Sequence, residues 1–255
     1  MAEMTKQQAG AQTGDRLKRY LIVVDGDGAH LYYTGILLQR LEYIIHTTKM
    51  AEEALEILNV AMPSLILTDT DLLRMSGLEL LKEIKKNPKT KAIPVIVYSL
   101  SRDTALRDAC LKEGATAFLP KPMDPEALYA AIQKATEERP RSYIRLTTCL
   151  NVIIGSGRAA EADSLNLCVT ALSEHGMYVS TSKPHPAGSQ VSMTLLLENA
   201  AIKIDGLVLY SFDNSKGPLR TPGMGIKFIR IRPEDEALIK TFIAKQITRD
   251  LRRTE

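Results

Sequence analysis

The chain has 255 residues, a formal net charge of only +3, an apolar share of 45% and a charged share of 25%. That length accommodates two ordinary domains, and the composition is that of a soluble globular protein. So mild a positive charge gives no case for nonspecific nucleic-acid binding, and no apolar run is long enough to span a bilayer. The opening residues 1–17 are polar, rich in Gln, Ala and Gly, and lack the apolar stretch of a signal peptide, so they read as a disordered tail. Leu21-Ile22-Val23-Val24 then forms a short apolar run, as expected of a strand covered on both faces, and ends in Asp25. Leu31, Leu38 and Leu41 recur at helical spacing, and 51–58 reads as a short amphipathic helix with Glu52, Glu53 and Glu56 outward. Leu65-Ile66-Leu67-Thr68-Asp69 is a second buried run. After it Leu78, Leu81 and Ile84 mark the inner face of a helix whose Lys82, Lys85 and Lys86 face water. Pro94-Val95-Ile96-Val97-Tyr98 and Ala117-Phe118-Leu119 complete the strands that the sequence locates. Between them lies a helix over 105–113, stopped by Gly114. Asp124 caps a last helix beginning at Pro125. The alternation predicts an α/β, doubly wound, five-stranded parallel domain over 18–136.

Past Glu137 the pattern changes. Arg139-Pro140-Arg141 reads as a linker, and strands follow in close succession over 145–154, 166–172, 177–181, 190–197, 202–212 and 224–231. Gly- and Pro-rich turns separate them, which predicts an antiparallel six-stranded β-barrel over 137–255, closed by a helix from Pro233 to Leu251. Leu238, Phe242 and Ile247 are its expected inner side. Cys110, Cys149 and Cys168 show no Cys-x-x-Cys spacing, and as scattered thiols they read as buried structural cysteines of a cytoplasmic protein. His30 and His46 read as structural and His175 as a solvated turn residue.

Asp25, Asp69 and Lys121 each end a predicted strand. Open parallel sheets place their sites at the C-terminal ends of strands, so these three side chains are expected to converge. Two carboxylates and an ammonium suit holding a cation and accepting a phosphoryl group. Over about 18–136 the chain resembles the receiver domain of bacterial response regulators. Asp69 matches the family's phosphoacceptor, Asp69-Thr70-Asp71-Leu72-Leu73-Arg74-Met75-Ser76-Gly77 keeps its Met and Gly, and Lys121 before Pro122 matches the lysine that pairs with the phosphoryl group. Ser99 matches the switch hydroxyl and Phe118 the switch aromatic, and the family's cis bond makes Lys121-Pro122 a cis candidate. The resemblance implies Mg²⁺ held by Asp25, Asp69 and the backbone carbonyl of Asp71. One departure stands out: the family's adjacent acids are here Asp25-Gly26, with Asp27 one place on, and Leu73 replaces a common proline. Either metal binding is weaker or the domain signals without phosphorylation.

The second half resembles the PilZ domain, a bacterial module that binds cyclic di-GMP. The likeness rests on Arg141-Ser142-Tyr143-Ile144-Arg145, on Leu172-Ser173-Glu174-His175-Gly176-Met177 and on Gly223-Met224-Gly225-Ile226-Lys227-Phe228. It implies that Arg141 and Arg145 grip guanine and phosphate, since Arg forks make two bonds to either, with Ser173 and Gly176 completing the ligand motif. Ala171 stands where the family has Asp or Asn, a loss worth roughly 1–3 kcal/mol of binding. Asp213-Asn214-Ser215-Lys216-Gly217 imitates the motif but reads as an interstrand loop. The expectation is a cytoplasmic, non-enzymatic response regulator. Its expected partners are a sensor histidine kinase or other phosphodonor, cyclic di-GMP and an unknown downstream protein. No membrane or nucleic-acid partner is expected, and a homodimer is open. The rival expectation is an adaptor, both sites being degenerate, that works through protein contacts alone.

Overall fold

The computed structural model describes residues 19–155, 166–198, 200–213 and 221–251. The expected tail and most of the Asp213–Gly217 loop lie outside them. The chain divides into two compact units, whose described parts are 19–146 with 241–251, and 147–240.

The first unit contains β1 (Tyr20–Val24), α1 (Gly28–Arg40), β2 (Ile44–Thr48), α2 (Ala51–Ile57), β3 (Leu65–Asp69), α3 (Gly77–Lys86), β4 (Val95–Ser99), α4 (Thr104–Lys112), β5 (Ala117–Pro120) and α5 (Pro125–Thr136). The strands form one sheet in the order β2-β1-β3-β4-β5, and all four pairings are parallel. β1, β3 and β4 sit at its centre, and their Leu, Ile and Val residues are fully buried because helices cover both faces. β2, the one strand of the expected five with no apolar run to place it, lies at the sheet edge. Its Ile44 is 51% exposed, so it carries neither a continuous apolar run nor a clean alternation.

Local signals set the helix ends. Asp27, Ser76, Asp103 and Asp124 each cap the helix that follows through a side-chain oxygen, and Ser76 with Glu79 forms a full capping box. Gly114 follows α4 with φ +95°, the left-handed conformation expected of it. Lys85 departs from expectation. Its ammonium donates to the carbonyls of Ile93 (2.7 Å) and Lys91 (3.2 Å), and burial pushes its pKa down.

The barrel strands are β6 (Leu146–Ile154), β7 (Asn166–Ser173), β8 (Gly176–Ser180), β9 (Gln190–Leu197), β10 (Ala200–Phe212) and β11 (Gly223–Arg230). They close in the order β10-β11-β8-β7-β6-β9. Alternating residues fill the interior, among them Val169, Val179, Met193, Leu195, Ile202, Ile204 and Ile226, all nearly inaccessible. The last helix, α6, spans Pro233–Thr248. Its buried stripe is Ile239, Phe242, Ile243 and Ile247, whereas Leu238 is 46% exposed. The inner face therefore runs through Ile239 and Ile243, at i, i+4 spacing, and not through Leu238.

Two cysteine expectations are overturned. Cys110 is buried, but Cys149 is exposed and Cys168 half-exposed. Distant in sequence, they sit on neighbouring strands β6 and β7, and their sulfurs stand 3.1 Å apart.

Candidate functional site

Three strand ends build the site in the first unit. β1 delivers Asp25, β3 ends on Asp69, and the turn after β5 brings in Lys121, whose bond to Pro122 is cis as expected. The Lys121 ammonium donates to Asp25 Oδ2 at 2.7 Å and to Asp69 Oδ2 at 2.6 Å. All three side chains are shielded from water, at 3%, 0% and 9% exposure respectively. Two buried carboxylates against one ammonium leave the pocket one negative charge in excess.

Further donors surround the two carboxylates. Asp69 Oδ1 accepts from the backbone N–H of Thr70 (2.6 Å) and of Asp71 (3.3 Å). Asp25 Oδ1 accepts from the N–H of Asp27 (2.9 Å). Asp25 Oδ2 takes a second bond from the buried Tyr98 hydroxyl at 2.7 Å. Lys121 lies 4.5 Å above the centre of the Tyr98 ring. Burial, then the charge and hydrogen bond of Asp25, hold the Tyr98 phenol well above its ordinary pKa, so it stays a donor at neutral pH. Tyr98 was not singled out from the sequence. Its signal was there: one polar-tipped aromatic ending the apolar run of β4.

Ser99 is buried, and its hydroxyl shares a 2.5 Å hydrogen bond with that of Thr70 while accepting from the N–H of Ser101. Thr70 is a second residue that sequence reading passed over. Phe118 pairs with Val97 of β4, is half-buried against the core of the first unit, and borders a cavity of about 440 Å³ with Thr104, Arg107, Leu111 and Pro120.

Two residues bear on a cation. The Asp71 side chain is exposed, but its carbonyl oxygen faces Gly26: a Cβ on Gly26 would stand 3.2 Å from it. The place beside that carbonyl is where a second acid would project, and glycine leaves it bare. Asp27 is engaged as the cap of α1. Its Oδ1 accepts from the N–H groups of Ala29 and His30, and those bonds hold its carboxyl below the usual range. Among the described residues no three His, Cys, Asp or Glu side chains are grouped to hold a metal. Two carboxylates and one carbonyl remain, an all-oxygen set of the kind Mg²⁺ accepts while keeping several waters.

Gly77 holds the loop after β3 in place. Its N–H donates to the Thr70 carbonyl, and a Cβ there would fall 1.8 Å from the Asp69 carbonyl oxygen. Only glycine lets α3 start against the strand end that carries Asp69.

The expected ligand residues of the second half fall in both units. In the first, Arg141 is half-buried and its backbone N–H donates to Gln133 Oε1 at 3.1 Å, while Arg145 is exposed. In the second, Ser173 donates its hydroxyl to the Gly176 carbonyl at 3.0 Å, closing the β7–β8 turn. A Cβ on Gly176 would meet the Ile226 carbonyl oxygen at 2.7 Å, so the strand packing itself calls for glycine. Ala171 pairs with Tyr178. His175 is not merely solvated: its Nδ1 lies 3.2 Å from Glu236 Oε1.

Comparison with known proteins agrees with this architecture. Residues 21–133 match the model of the response regulator receiver domain, and residues 136–245 match that of the PilZ domain. The chain joins a receiver domain to a PilZ domain. It is 32% identical over 119 residues to the transcriptional regulatory protein GlrR of Escherichia coli K12, covering 47% of this chain and 26% of GlrR. With the two-component response regulator ORR7 of rice it shares 36% identity over 110 residues, 42% of this chain and 51% of ORR7. The chain thus spans from a quarter to about half of these relatives. Among solved structures, a receiver domain protein from Clostridium thermocellum is 28% identical with a TM-score of 0.44, covering 46% of this chain and 94% of that one. The chemotaxis response regulator CheY4 of Vibrio cholerae is 24% identical with a TM-score of 0.44, covering 46% and 98%. No described helix of this receiver–PilZ protein is long and apolar enough to cross a membrane.

Proposed function

We propose that the protein is a cytoplasmic two-component response regulator, not itself an enzyme, that takes a phosphoryl group on Asp69 and carries a PilZ output sensing cyclic di-GMP. One observation supports the first half above all: the Lys121 ammonium lies within 2.7 Å of both Asp25 and Asp69 at the C-terminal edge of the sheet. The Asp69 carboxylate attacks the phosphorus of a phosphodonor, such as a phosphorylated sensor histidine kinase. The donor's bond to phosphorus breaks and an acyl phosphate forms on Asp69. Lys121 already sits on Asp69 Oδ2, so it meets the new phosphoryl oxygens with little reorganisation. Asp25, Asp69 and the Asp71 carbonyl would hold Mg²⁺, which supplies further neutralisation of oxygen charge. Ser99 leaves Thr70 to donate to the phosphoryl group, and Phe118 moves into the space released. That is a local charge change biasing a two-state element. Acetyl phosphate with Mg²⁺ should add one phosphoryl mass to the full chain and none to Asp69→Ala. Equal labelling of the two would sink the assignment.

The ligand half of the proposal is supported by the PilZ match and by the chemistry of Arg141 and Arg145, whose planar forks suit guanine edges and phosphates. Ser173 keeps acceptor capacity, because its hydroxyl only donates within its turn. Ala171 supplies no polar group, so modest affinity is expected. Calorimetric titration of the full chain with cyclic di-GMP should show binding that Arg141→Ala abolishes. A specific observation favours the adaptor as second reading. Asp25 already accepts from Lys121, Tyr98 and the backbone N–H of Asp27, leaving it little capacity for a cation, and Gly26 offers no side-chain ligand. No labelling and no nucleotide binding would together select it.

A further inference from the structure

Cys149 on β6 and Cys168 on β7 face each other across neighbouring strands of the closed barrel. Their sulfurs are 3.1 Å apart, about 1 Å more than the roughly 2.0 Å of a disulfide bond. Both are reachable from solvent, Cys149 exposed and Cys168 partly so. A cysteine that serves only packing behaves as a small buried hydrophobe, as Cys110 does at 0% exposure. Two thiols in contact at a water-accessible surface are arranged for chemistry between them.

We propose that Cys149 and Cys168 form a reversible oxidation site in the PilZ barrel, converted by a hydroperoxide into an intramolecular disulfide. The Cys149 thiolate attacks the peroxide oxygen, the O–O bond breaks, and the alkoxide or hydroxide leaves and is protonated to alcohol or water. Cys149 is then a sulfenic acid. Cys168 sulfur attacks Cys149 sulfur, the S–O bond breaks, and the oxygen leaves as water with the proton from Cys168. In sum, two thiols and one hydroperoxide give one disulfide, one alcohol or water, and one water. The sulfur pair loses two electrons and the peroxide gains them. A dithiol reductant reverses the change by exchange.

Geometry orders the two roles. The more exposed Cys149 meets the oxidant first. The Cys168 thiol is held above its usual pKa, chiefly by its hydrogen bond with Cys149 and then by burial. Oxidation of Cys149 removes the partner thiol that restrains Cys168 and leaves it free to resolve the sulfenic acid. The bond formed would tie β6 to β7, the strand that ends at Ser173.

The test uses the full chain, reduced and then exposed to hydrogen peroxide near stoichiometry. Expected are the loss of two of the three thiols, a mass lower by two hydrogens, a monomer on a non-reducing gel, and a Cys149–Cys168 linked peptide that dithiothreitol dissolves. Cys168→Ser should accumulate a dimedone-reactive sulfenic acid on Cys149, whereas Cys110→Ser should oxidise as the wild type does. Three persisting thiols would overturn the proposal. So would crosslinks between chains, or sulfinic acid on one cysteine without the linked peptide. Because the linked peptide is read on the unmodified protein, a variant that fails to fold leaves the test intact.

Discussion

Lys121→Met is the most informative single perturbation of this protein. At 2.7 and 2.6 Å, and with an effective dielectric constant near 20, each contact of Lys121 with Asp25 and Asp69 is worth about 6 kcal/mol of gross Coulomb attraction. Desolvation of three groups with side chains at most 9% exposed cancels much of that. Methionine fills similar volume but leaves two carboxylates facing each other without a counter-charge. Removing one partner of a buried pair costs about 3–5 kcal/mol. With a urea slope of roughly 2 kcal/mol/M, the unfolding midpoint of the receiver should fall by about 2 M. Urea titration, with hydrogen exchange restricting the loss to peptides of β1, β3 and β4, is the assay. The double variant Asp25→Asn/Lys121→Met should recover a large part of the loss, because it removes one of the stranded charges. A Lys121→Met midpoint equivalent to within about 0.5 kcal/mol of wild type, the range of an ordinary surface substitution, would refute the buried-triad reasoning.

Gly77→Ala should destabilise the receiver by roughly 1–3 kcal/mol or more, because its Cβ would fall 1.8 Å from the Asp69 carbonyl oxygen and backbone must yield; thermal unfolding reads it. Gly26→Asp places a carboxylate beside the Asp71 carbonyl, and calorimetry with Mg²⁺ should show affinity higher by about tenfold, or 1.4 kcal/mol; unchanged affinity would separate that carbonyl from the cation site. Asp27 and Glu79 have carboxyls lowered from 3.8 and 4.5, by backbone hydrogen bonds of the α1 cap and of the Ser76 box respectively. A depressed folded pKa means that the stabilisation is present above the unfolded value and disappears as pH falls through the folded one. The starts of α1 and α3 should therefore stay capped at neutral pH and fray below about pH 4, as amide chemical shifts followed against pH would show.

Periodicity made much of the architecture legible. β1, β3 and β4 read as uninterrupted apolar runs because both faces are covered, and turn residues every few positions marked the barrel strands. Asp25, Asp69 and Lys121 stood out because each closes such a run, and the sheet brings the strand ends together. β2 escaped because an edge strand with Ile44 exposed has no buried run to display. The face of α6 was misassigned by one residue at Leu238, since one step along a helix rotates the side chain by about 100°.

Other features exist only through contacts between residues distant in the chain. Tyr98 donates to Asp25 across 73 positions, and Cys149 meets Cys168 across 19. Nothing in the neighbourhood of either residue encodes its partner. Pairing of strands supplies it, as does the crowding of α3 onto β3 that makes Gly77 indispensable. Local order along the chain sets which elements form and where their polar ends fall. Three-dimensional packing decides which of those ends share a proton, a charge or a sulfur contact, because such forces act over a few ångströms of space regardless of separation in sequence.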